Sequence, residues 1–130
     1  MDASDHSDPR RRLGALGERL AREHLERAGY AVVERNYRSR RGEIDVVALG
    51  RDTLVFCEVK TRVHGGRTGP GDPLEAIGHA KQRRLRLLAR EWLSERGGRP
   101  GAGSLRFDAI GVTVDATGRL LALEHVEAAF

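Results

Sequence analysis

Two short segments of this sequence carry residue types that could do chemistry together: Gly42-Glu43-Ile44-Asp45-Val46-Val47 and Val55-Phe56-Cys57-Glu58-Val59-Lys60. Both read as strands, and side chains on a strand alternate between faces, so Glu58 and Lys60 share one face and Cys57 and Val59 the other. Glu43 and Asp45 likewise share a face. The intervening Gly50-Arg51-Asp52-Thr53 is short and turn-forming, which predicts an antiparallel hairpin. Pairing Leu49 with Leu54 then sets Asp45 opposite Glu58 and Glu43 opposite Lys60. Residues facing each other this way have Cβ atoms about 4.5–5.5 Å apart, near enough for two carboxylates to grip one divalent cation. Uncompensated, such carboxylates repel. Lys60 supplies one positive charge, and a hard cation such as Mg²⁺ fits the remainder. The plainer alternative is a solvated sheet face with Glu58 and Lys60 paired across strands. Against it stands the setting, because Val46, Val47, Val55, Phe56 and Val59 make this the most apolar part of the chain.

The elements that must position these residues follow from periodicity. Leu13, Leu16, Leu20, Ala21, Leu25 and Ala28 recur at helical spacing over residues 10–28, ending at Gly29. Gly14 and Gly17 inside that helix weaken it, which predicts a face that approaches another backbone closely, with Glu18 beside it. Strands are expected over 30–37, 42–49 and 54–62. A second helix is expected from Pro73 or Leu74 to Ser94, its apolar stripe interrupted by Lys81, where an unpaired ammonium would be costly. Two more strands, 105–114 and 120–126, complete an order α-β-β-β-α-β-β, an α/β or α+β sandwich of helices on a small mixed sheet. Residues 1–9 read as a disordered leader, 63–73 as a Gly- and Pro-rich loop and 97–103 as a linker. The expected single domain spans 10–130.

Composition narrows the function. One cysteine, Cys57, excludes a disulfide framework and a Cys-rich zinc module, and it faces away from the acidic residues as a small buried hydrophobe. The five histidines, at 6, 24, 64, 79 and 125, lack paired metal spacing and read as surface or structural groups, and Trp92 reads as core. With no apolar run long enough to span a bilayer and no apolar leader, we expect a soluble, cytoplasmic protein without a membrane partner. Of 23 basic residues only Lys60 and Lys81 are lysines. Ten arginines against four glutamates in 10–41, and seven bases against two acids in 81–99, contrast with two bases against four acids in 104–130. Such asymmetry favours a polyanionic partner, although solvated helix faces would give the same pattern.

The ordered set Gly14-x-x-Gly17-Glu18, Ala21, Gly29-Tyr30, Asn36, Gly42-Glu43-Ile44-Asp45, Phe56-Cys57-Glu58-Val59-Lys60-Thr61-Arg62, Lys81, Arg106-Phe107-Asp108 and His125 to Phe130 resembles the YraN-like family of small endonuclease-like proteins. That family lies within the PD-(D/E)xK superfamily, alongside restriction endonucleases and archaeal Holliday junction resolvases. The resemblance covers about residues 13–130, with Ile44 where proline is common and Thr68 where an aromatic is expected. It implies a restriction-endonuclease-like core of the α/β class. It further implies Mg²⁺ or Mn²⁺ held by Asp45, Glu58 and the Val59 carbonyl, Lys60 as catalytic lysine, and Glu18 as a helix-borne carboxylate holding a second metal or accepting a proton. Lys81, Arg62, Arg83 and Arg84 would meet the phosphates of a nucleic acid. The implied activity is cleavage of DNA, with branched or processed structures and a homodimer by analogy with the resolvases. A non-catalytic nucleic-acid binder and a protein-interaction module on an inactive nuclease scaffold are the competing readings.

Overall fold

Helix α1, Pro9–Arg27, begins one residue earlier than its apolar periodicity, because Asp8 caps it through a 2.9 Å hydrogen bond from the Arg10 amide and Pro9 sits in its first turn. The computed structural model describes residues 8–65, 78–96 and 102–130. Most of the expected leader, most of the 63–73 loop including Thr68, and the helix segment 73–77 lie outside them. Strands β1 (Ala31–Ser39), β2 (Gly42–Gly50) and β3 (Thr53–Val63) follow, then helix α2 (His79–Glu95), then β4 (Ser104–Val114) and β5 (Leu120–Val126). The order α-β-β-β-α-β-β is the expected one. Helix α2 is described from His79, behind an extended Gly78 N-cap; the expected start at Pro73 or Leu74 lies outside the described residues.

The five strands lie side by side in chain order, antiparallel throughout except for the parallel pair β3–β4. That parallel step needs a crossover connection, and α2 lies within it. The β2–β3 register is the predicted one, with Leu49 opposite Leu54. The turn is tighter than four residues, since Gly50 and Thr53 also pair and only Arg51 and Asp52 make the bend, at φ 53° and 60°. Two consecutive left-handed residues are the signature of a type I′ hairpin turn.

Each face of the sheet is covered by one helix. On one side Ala21 and Leu25 of α1 pack on Val46, Ala48, Val55, Cys57 and Val59, with Ile110, Val112 and Val114 of β4. On the other, Leu85, Leu88, Ala89 and Trp92 of α2 pack on Ile44, Val47, Leu54 and Phe56. Cys57 is therefore buried on the α1 side, as expected, with burial pushing its thiol pKa up.

Of the two helix glycines, only Gly17 makes a close approach, and its neighbour is a side chain: a Cβ there would overlap Thr61 of β3. Among the described residues a Cβ at Gly14 would meet nothing within 4 Å, which corrects the expectation of a two-glycine contact. The two should respond oppositely to alanine. Gly14→Ala should stabilise the fold by about 0.5–1 kcal/mol through helix propensity. Gly17→Ala should destabilise it by about 1–3 kcal/mol through overpacking. Urea unfolding midpoints of the two variants check the pair, and equal shifts would mean that α1 does not seat on Thr61.

Candidate functional site

The site lies where β2 and β3 part. Their pairing runs from Gly50–Thr53 to Val46–Cys57 and stops there. One residue on, the Asp45 carboxylate accepts the Val59 N–H at 2.8 Å, so a side chain takes over as acceptor where the ladder has ended. The face pattern of β2 breaks at the same point. Ile44 packs on the α2 side and Val46 on the α1 side, although alternate residues of a regular strand share a face. Asp45 therefore sits in the fork between the strands rather than in a regular cross-strand pair with Glu58.

Three elements converge on that fork beside β2 and β3. From α1, the seating of Gly17 on Thr61 delivers Glu18, whose carboxylate has an oxygen within 4.8 Å of oxygens from Glu43 and Asp45. From β1, Asn36 adopts φ 51°, a left-handed backbone that asparagine tolerates better than most residues. Its amide donates to Glu18 at 2.8 Å and to Glu43 at 3.3 Å, tying two of the three acids together. From α2, Lys81 reaches Glu58 at 2.5 Å, and Lys60 stands 3.9 Å from the same oxygen. Glu43, Asp45, Glu58, Lys81 and Arg84 line a pocket of about 230 Å³, floored by Leu85 and Leu88.

The electrostatics follow from crowding acids under cover. Asp45 and Glu58 are only 8% and 7% exposed. Burial, followed by the charge of Glu58, pushes the Asp45 carboxyl up to about 9, against the pull of the Val59 amide. Glu43 moves the other way: burial opposes ionisation, but hydrogen bonds from Asp45 and Arg38 outweigh it, Arg38 Nε standing at 2.7 Å. Lys60 is held below the usual lysine value by its contact with Lys81, then by burial. Burial acts against the charge on Lys81 too, yet its hydrogen bond to Glu58 leaves it above that value.

Of the residues singled out in the sequence, Asp45, Glu58, Glu18, Lys60, Lys81 and Arg84 thus gather around the fork. Val59 enters through its amide N–H. Glu43 is turned to Arg38 and Asn36 rather than to Lys60, because the ladder that would have set it opposite Lys60 no longer exists at that level. Arg62 pairs in register with Thr113 of β4, and Arg83 is exposed on α2; neither lines the pocket. Asn36 and Arg38 are the participants that strand alternation misses. Asn36 drew notice only as part of the resemblance; the signal for it is an asparagine in a strand that must kink.

The sequence between Gly17 and Val112, which holds every one of these acids and both lysines, matches the family described as Uncharacterised protein family UPF0102. The chain belongs to the UPF0102 family. This is the YraN-like family that the motifs resemble. Among UPF0102 proteins, that of Streptomyces griseus is 51% identical over 108 residues, covering 82% of this chain and 86% of the relative. That of Rhodococcus jostii is 47% identical over 118 residues, 91% of this chain and 95% of the relative. A more divergent UPF0102 protein, from Alkaliphilus oremlandii, is 38% identical over 92% of this chain and 98% of its own length. Among solved structures, the Pyrococcus furiosus SfsA structure in complex with Ca²⁺ aligns with a TM-score of 0.43 and 13% identity. That alignment covers 87% of this chain and 63% of the SfsA chain. Among the described residues no helix is long and apolar enough to cross a membrane.

Proposed function

We propose that this protein is a divalent-metal-dependent endonuclease that hydrolyses phosphodiester bonds in DNA. The observation that carries the reading is the meeting of Glu18, Glu43 and Asp45 within 4.8 Å of one another, in a fork whose far wall holds Glu58 and two ammonium groups. Carboxylates crowded this closely, one of them buried, destabilise a fold unless a proton or a cation neutralises them. The donor set fits Mg²⁺ or Mn²⁺: it is all carboxylate oxygen, with no thiolate or imidazole among the clustered groups. Asp45 and Glu58, with the Val59 carbonyl, would hold the ion, and Glu18 and Glu43 would bound its other side. A bound ion of this kind polarises a phosphate oxygen and lowers the pKa of water.

The protein's own groups divide the remaining work. Lys60, beside Glu58 and Lys81, is placed to orient the attacking water or to stabilise the charge that develops on the phosphate. Arg84 and Lys81 at the pocket mouth, and Arg83 and Arg62 beyond it, would neutralise flanking phosphates, so binding should weaken steeply with salt. The test is cleavage of junction, flap, single-stranded and duplex DNA in Mg²⁺ or Mn²⁺. Glu58→Ala and Lys60→Ala are expected to lower the rate at least about a hundredfold, the usual yield of a positioned acid–base or charge-stabilising group. Equal cleavage by wild type and variants would expose a contaminant. Salt-sensitive binding that ignores metal would instead mark a non-catalytic binder.

A further inference from the structure

Glu58 stands apart from the three clustered acids because its charge is already answered. Its Oε1 lies 2.5 Å from Lys81 Nζ and 3.9 Å from Lys60 Nζ, with its side chain 9% exposed. The two cations hold that oxygen on different terms. Lys60 sits two residues along the same strand, so β3 itself fixes its position. Lys81 comes from the first turn of α2, where the helix has no acidic residue and its N-terminal dipole disfavours a positive charge. Helix stability therefore does not explain an ammonium at this place; its ion-pair partner among the described residues is Glu58. Lys81 also remains about a third exposed, so its long side chain has water to move into.

A divalent ion shared by Asp45 and Glu58 and the Lys81 ammonium would claim the same carboxylate oxygen. We propose that Lys81 is a displaceable counter-ion: it neutralises Glu58 in the ion-free site, yields that oxygen when a divalent cation enters, and is then free to meet a phosphate of the nucleic acid. This rests on the metal-dependent reading of the site. It makes Lys81 a positioning residue with a regulatory consequence, since the two equilibria are linked. An anion that draws Lys81 away must strengthen metal binding by the same factor by which the metal strengthens anion binding.

The deciding experiment measures Mn²⁺ affinity by calorimetry or by the spin-resonance signal of free Mn²⁺, with no nucleic acid and no turnover. Wild type is compared with Lys81→Met, Lys81→Gln and Lys60→Met, and the Lys81→Met change is repeated in a Glu58→Gln background. Circular dichroism of each variant establishes that it is folded, and the two Lys81 replacements guard against one that is not. Both Lys81 variants should bind Mn²⁺ about tenfold more tightly than wild type, and more tightly than Lys60→Met. In the Glu58→Gln background the gain should shrink below about threefold, since the contested charge is gone. Equal or weaker binding by the Lys81 variants, alongside measurable wild-type binding, overturns the counter-ion role and leaves the metal site standing. Absence of Mn²⁺ binding from every folded variant overturns both.

Discussion

Replacing Asp45 by asparagine is expected to remove DNA cleavage while making the protein harder to unfold. Asparagine retains an oxygen to accept the Val59 N–H and an NH₂ group to donate toward Glu43, so the fork keeps its shape. What disappears is a carboxyl that burial and the charge of Glu58 push up to about 9, so that it sits in the metal-free fork at neutral pH only by taking up a proton. A metal site that loses a buried anionic donor gives up several kcal/mol of charge stabilisation, roughly a thousandfold in rate or more. Asparagine needs no proton to enter the fork, whereas a carboxyl with a raised pKa must be protonated on folding at neutral pH, so stability should rise by at least about 1 kcal/mol, or roughly 4 °C in Tm for a chain of this size. The two signs together separate a functional carboxylate from a structural one, because a structural partner would lower Tm on replacement. Cleavage assays in Mn²⁺ and metal-free calorimetry on the same preparation give both numbers, and a lower Tm with intact cleavage would remove Asp45 from the site.

The largest loss of stability is expected at Asp108, which pairs in register with Cys57 across the β3 edge opposite the fork. This residue of β4 is fully buried and its two oxygens accept four hydrogen bonds. Arg106 donates twice at 2.8 Å, His125 Nε2 once at 2.7 Å, and the Ala128 amide once at 3.0 Å. Arg106 also reaches Tyr30 and Glu127, so the one carboxylate ties β4 to β5 and the last residues, and through Arg106 to the end of α1. Asp108→Ala would strand a partly buried guanidinium, at a cost of about 3–5 kcal/mol, whereas cleavage per folded molecule should hardly change. The pH dependence follows from the same contacts. Burial alone would raise the Asp108 pKa, but the bonds from His125 and Arg106 outweigh it and hold the group below the usual aspartate value. A folded-state pKa below the unfolded one means that this stabilisation is complete above about pH 4 and is lost as pH falls through the folded value. Urea midpoints measured downward from neutral pH should fall more steeply in wild type than in Asp108→Ala. Parallel profiles would show that the network does not ionise as a unit.

Much of the fold is legible in the residues because local pattern and global need agree. Alternation in 42–49 and 54–62, with a turn of known geometry between them, fixes the β2–β3 register, and the same pairing is found from Leu49–Leu54 to Val46–Cys57. Lys81 is legible as an anomaly on an apolar stripe, and Glu58 is the partner that resolves it. Alternation fails one residue beyond Val46. A period-two reading assumes a regular ladder, whereas β2 turns over at Asp45 and the chain leaves the ladder where the acids gather. The place of Glu43 among the clustered acids, and the loss of the Asp45–Glu58 and Glu43–Lys60 pairs, follow from that single break. Asn36 is hidden for a related reason, since its role depends on a left-handed backbone inside a strand. Gly14 and Gly17 look alike in sequence because a glycine records that a side chain is missing and not what would have met it.

The chain has two lysines, and both approach one oxygen of Glu58. Every other basic side chain beside histidine is arginine, whose guanidinium stays protonated and inert to mild acylating reagents. A limiting amount of an amine-selective dye should therefore mark only this cleft and the chain terminus. Lys60, with its lowered proton affinity, is the readier nucleophile of the two. The skew toward arginine thus leaves the molecule with a built-in attachment point for a reporter at the one place where ligand occupancy would be read.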